Sequence, residues 1–116
     1  DKCGDSSFHD STSPDRPTIS DCLVIAKNIA SGGHWEVEAF GSDVHQLVQF
    51  GTCAFGVQAV PPFGDAFFYI GNSDIIDVIN DSIRRFGMDG VVGAWGEMHC
   101  GALLLGSGVR WRIYHN

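Results

Sequence analysis

Four cysteines in a chain of 116 residues, at positions 3, 22, 53 and 100, limit its architecture more than any other feature. They are far apart and no Cys-x-x-Cys occurs, whereas zinc sites bring their ligands in close pairs. An even number of distant cysteines in a small acidic chain reads as two disulfides, and so as a protein matured in an oxidising compartment outside the cytosol. The chain begins at Asp1 without a Met or an apolar leader, as expected of a mature fragment whose targeting segment has been removed.

The length suits one domain over 1–116, and 44% hydrophobic residues are enough for one modest core. Seven Lys and Arg stand against 14 Asp and Glu, a formal net charge of -7, which argues against nucleic acid as the main partner. Apolar runs such as Leu103-Leu104-Leu105 and Phe67-Phe68-Tyr69-Ile70 fall far short of the ~20 residues a membrane span requires. No repeat, low-complexity tract or linker divides the chain.

Residues 5–18 are polar, carry two prolines and read as a surface connection. A first helix is expected over about 20–31, capped by Thr18 or Ser20, with Cys22, Ile25, Ala26 and Ile29 at helical spacing and Gly32-Gly33 ending it. Trp35, Val37 and Ala39 alternate with Glu36 and Glu38 as in a half-buried strand. Val44, Leu47 and Val48 suggest short helical turns, 51–60 a central strand ended by Pro61-Pro62, and 67–70 another strand. In the second helix Asn72 or Ser73 is the expected cap. Ile75, Ile76, Ile79, Ile83 and Phe86 share its apolar face, Gly87 ends it, and Asp74, Asp77, Arg84 and Arg85 complement its dipole. Strands are expected over 91–98 and 109–114, with a short one in 3–8.

This order predicts an α+β fold, a two-layer sandwich of antiparallel sheet covered by two helices and stapled by disulfides. It suits pairing Cys22 with Cys53 and Cys3 with Cys100, one of the three connectivities that four cysteines allow; spacing does not choose among them. In the chain-entropy model the inner bridge would contribute roughly 3.5 and the outer roughly 4.5 kcal/mol.

Six blocks then carry a resemblance: Cys3-Gly4-Asp5-Ser6-Ser7-Phe8, Ser20-Asp21-Cys22-Leu23, Gly51-Thr52-Cys53-Ala54-Phe55-Gly56-Val57, the run from Ile70-Gly71-Asn72-Ser73-Asp74 to Arg84-Arg85-Phe86, Gly93-Ala94-Trp95-Gly96-Glu97-Met98-His99-Cys100, and Val109-Arg110-Trp111. In this order they resemble the fungal extracellular-protein-two effector domain, a family described as necrosis-inducing factors. The resemblance implies a secreted, non-enzymatic fungal virulence factor acting in the plant apoplast by binding a host extracellular or cell-surface component, without a cofactor and without catalytic residues. The order of elements also resembles the virally encoded killer toxin of corn smut, which implies a channel-blocking or membrane-active alternative.

Five scattered histidines show no metal-ligand spacing, and neither a Gly-x-Ser-x-Gly elbow nor a phosphate loop occurs. One set of residues bears on enzyme chemistry. Glu97 and His99 lie two apart on one expected strand, and Arg110 and Arg112 on the next, as an acid, a base and a phosphate clamp would in a secreted ribonuclease-like hydrolase. The alternative is the solvent face of a half-covered sheet, which needs polar residues anyway. Phe63, Leu103, Leu104 and Leu105, with 67–69, could form an apolar docking patch, although such residues are more often core. Asn80-Asp81-Ser82 is a glycosylation sequon; its place inside the second helix beside Ile79 leaves a buried or unmodified Asn80 as the alternative.

Overall fold

A computed structural model describes residues 2–61, 65–102 and 106–116. Among these, the periodicities resolve into two helices and seven strands. In chain order they are β1 (His9–Asp10), α1 (Ile19–Asn28), β2 (His34–Ala39), β3 (His45–Phe50), β4 (Cys53–Ala59), β5 (Ala66–Gly71), α2 (Asn72–Phe86), β6 (Ala94–Cys100) and β7 (Ser107–His115). The fold is α+β with antiparallel pairing throughout. The sheet is divided, however: β1-β6-β7-β4-β3 form five strands, and β2 and β5 pair apart from them as a two-stranded ribbon.

Each helix end has a local cause. Thr18 caps α1 by accepting the Asp21 N–H at 3.2 Å. The cap of α2 is Gly71 rather than Asn72 or Ser73. Glycine offers no side chain, so the Asp74 carboxylate reaches back to accept the Gly71 N–H at 2.8 Å, while the Asn72 carboxamide donates to the Ile29 carbonyl at the end of α1.

The helical turns expected around Val44, Leu47 and Val48 are instead strand β3. Its register against β4 shifts between Gln46 and Val48, which leaves Leu47 as an extra residue and places two apolar side chains in succession. That break in alternation imitates helical spacing. The last hairpin begins at Ala94, because Met88 and Val91 exchange backbone hydrogen bonds around a tight turn in which Asp89 and Gly90 both have positive φ. The N-terminal arm pairs along β6 only at intervals: Gly4 and Ser7 donate to the His99 and Glu97 carbonyls, and the arm becomes regular strand at His9.

Alternation on β7 sends Val109, Trp111 and Ile113 inward, where they join Phe55 and Val57 of β4, Ile25 of α1, Ile75 and Ile79 of α2, and Phe68 and Ile70 of β5 in one buried cluster. Cys3 is bonded to Cys100 and Cys22 to Cys53. The first bridge ties the N-terminal arm to the end of β6, the second α1 to the start of β4. No described helix is long and apolar enough to cross a membrane.

Candidate functional site

Opposite the core, the five-stranded sheet presents its other face to solvent. Here register places Glu97 across from Arg110, Trp95 across from Arg112, and His99 across from Gly108, so Glu97, His99, Arg110 and Arg112 share one surface. The Arg110 guanidinium donates to a single Glu97 carboxylate oxygen through Nη2 and, at 2.8 Å, through Nε. The same guanidinium lies 5.0 Å from the centre of the Trp95 ring, and His9 stacks on Trp95 at 4.2 Å. Arg112 donates from Nε to the Gln58 carboxamide oxygen, whose nitrogen in turn holds the Ser42 carbonyl, both at 2.8 Å. Beside them, burial pushes the Tyr114 phenol above its ordinary pKa of 10.0.

Chemically, three of the four candidate side chains on this surface are held in satisfied pairs. Glu97 is engaged by Arg110 and Arg112 by Gln58, whereas the exposed His99 side chain bonds neither pair among the described residues. What remains is a bonded patch with a half-exposed tryptophan at its centre and guanidinium and amide groups around it. Trp95 and Gln58 belong to this patch but carried no signal of their own. Trp95 sits in the alternation with Glu97 and His99. Gln58 lies in an apolar run and is only 4% exposed, bonded to Arg112 of the neighbouring strand and to the Ser42 carbonyl.

The remaining polar motif residues cluster around the two bridges. Asp21 accepts the backbone N–H and the hydroxyl of Thr52, each at 2.8 Å, beside Cys22 and Cys53; these hydrogen bonds hold its carboxyl below the ordinary 3.8. Asp74, 6% exposed, accepts the N–H groups of Lys2, Cys3 and Gly71 beside Cys3. Ser6 accepts the Trp111 indole N–H at 2.7 Å.

Between the N-terminal arm and α2 runs a cleft of about 380 Å³ whose lining includes Asp5, Asp74, Asp77 and Asp81 together with Phe8, Val78 and Met98. Arg85 lies over the Phe8 ring at 4.3 Å. Among the described residues no group of three or more His, Cys, Asp or Glu is arranged to hold a metal ion. Of the apolar patch, Phe63, Leu103, Leu104 and Leu105 lie outside the described residues, Phe68 is core and Phe67 is 44% exposed. Asn80 is exposed on α2.

Comparison with known proteins adds three findings. A family model described as "Pathogen effector; putative necrosis-inducing factor" matches residues 2–100. A Penicillium expansum protein named "Probable chitinase LysM18" is 34% identical over 114 residues, which cover 97% of this chain and 8% of that protein. A second from the same fungus, "Secreted chitinase LysM12", is 32% identical over 117 residues, covering 95% of this chain and 7% of the relative. The chain therefore spans less than a tenth of either relative's length.

Proposed function

The chain belongs to this family of pathogen effectors, and we propose that it acts as a secreted, non-catalytic binding module whose contact surface is the outer face of the five-stranded sheet. The proposed partner is an extracellular or cell-surface component of a plant host, met in the apoplast. The observation that carries this reading is the pairing on that face. Glu97 and Arg110 engage each other and Gln58 holds Arg112, and the surface they form has Trp95 and arginine, the residue types that dominate binding energy at interfaces. Two disulfides fit an exported protein, as does the name of the second relative.

Infiltration of plant tissue tests the surface. Trp95→Ala with Arg112→Ala should reduce the response at least tenfold in dose while melting temperature and free-thiol count stay near wild type. Glu36→Ala with Glu38→Ala, on exposed positions of β2, should leave it unchanged. Equal potency of all three proteins would remove the sheet face from the account. Structured RNA should survive incubation with the protein; cleavage abolished by His99→Ala would establish the hydrolase reading instead.

A second reading draws on the relatives named as chitinases. His9 and Arg110 flank the Trp95 ring, so a sugar would meet the hydrogen-bonding side chains around the partly exposed indole rather than a free ring face, and the same sheet surface would then hold an N-acetylglucosamine oligomer. Calorimetric titration with such an oligomer, giving heat in wild type and none in Trp95→Ala, would favour it over a host protein.

A further inference from the structure

We propose that Asn80 carries an N-linked oligosaccharide, added before the chain folds; the proposal rests on the export proposed above. Asn80-Asp81-Ser82 satisfies the Asn-x-Ser rule with a residue other than proline at its centre. Within α2 the two ends of this tripeptide have opposite environments. Asn80 is exposed in a polar stripe with Asp77 and Arg84, and its carboxamide bonds no described residue. Ser82 is fully buried, and its hydroxyl has no hydrogen-bond partner among the described residues.

That second fact points to a ligand that acts elsewhere than in the folded state. A buried helical serine ordinarily returns its hydroxyl to the carbonyl one turn back. A hydroxyl that is desolvated and unbonded weakens the fold, and alanine at the same site would carry no such cost. Among the described residues nothing in the fold uses the Ser82 hydroxyl. A glycosyltransferase does, because it reads the sequon hydroxyl on an extended chain, and once α2 is packed Ser82 is out of its reach.

In the reaction, Nδ2 of Asn80 loses a proton and bonds to the anomeric carbon of a lipid-linked oligosaccharide. The bond from that carbon to the donor's pyrophosphate oxygen breaks, and the lipid pyrophosphate leaves. Because α2 lies on the core side of the five-stranded sheet, the sugar would project away from the face that carries Trp95. Glycan and contact surface are then compatible.

The chain is expressed behind a secretory leader in yeast, and intact mass is measured before and after treatment with an N-glycan amidase. Wild type and Ser82→Thr should carry a glycan that the enzyme removes; Asn80→Gln and Ser82→Ala should not. Bare wild-type protein in the medium would overturn the glycan and leave export standing. Retention in the cells would count against export, and the mass of the retained, membrane-associated protein still decides the glycan. Independently, bacterially produced and refolded Ser82→Ala should melt at or above the wild-type temperature. A lower melting temperature would show that the hydroxyl serves the fold and would overturn the argument.

Discussion

The carboxylate of Asp21 ties the backbone and hydroxyl of Thr52 to the start of α1, right beside a disulfide. These hydrogen bonds favour the ionised form, so its pKa in the folded protein lies below the 3.8 it has when unperturbed. A depressed carboxyl stabilises the fold above its unfolded pKa, and the contribution is lost as pH falls through the folded value. Asp21→Asn should therefore melt below wild type at neutral pH, with the gap closing as pH drops under 3.8; thermal scans from pH 7 to pH 2 read it directly. Gly96 carries a steric demand of another kind. A Cβ there would lie 2.0 Å from the Ser7 carbonyl and 2.7 Å from the Trp111 ring. Gly96→Ala should cost about 1–3 kcal/mol in urea denaturation, the range for overpacking a close contact.

Asp74 does for α2 and the N-terminal arm together what a capping residue does for one helix. Asp74→Ala would leave the Lys2, Cys3 and Gly71 N–H groups without their acceptor. Loss of about 1–3 kcal/mol is expected, chiefly from the buried Gly71 donor left unsatisfied, and Asp74→Asn, which keeps one oxygen, should lose less. Helix α2 was legible in the sequence because Ile75, Ile79 and Ile83 repeat at the helical period with no competing pattern. Strand β3 was not, since one extra residue at Leu47 breaks the alternation that would have identified it. The ribbon of β2 and β5 shows the limit of local pattern. Trp35, Val37 and Ala39 identify a strand, but nothing in them says that its partner lies outside the main sheet. On the candidate face, period two brings Glu97 and His99 to one surface. The bonds from Arg112 to Gln58 and from Asp21 to Thr52 join residues 54 and 31 positions apart. Contacts of that range follow from topology and leave no periodic trace.

Taken whole, the molecule depends on its two bridges. They close loops of 97 and 31 residues in sequence separation, worth roughly 4.5 and 3.5 kcal/mol in the chain-entropy model. A small domain's entire stability is about 5–15 kcal/mol, so reduction should unfold the protein near room temperature. Cys3→Ser with Cys100→Ser should lower the denaturation midpoint more than Cys22→Ser with Cys53→Ser; equal losses would mean that packing around the sulfurs outweighs loop length. Function depends on the same bridges if a surface assembled from β6, β7 and β4 is what the host encounters, because reduction disperses those strands without altering any side chain outside the cysteines. Infiltrating plant tissue with folded protein beside the same protein reduced and alkylated is the most direct measurement. A response to the folded form alone is the predicted result, and an equal response to both would contradict action through a folded surface.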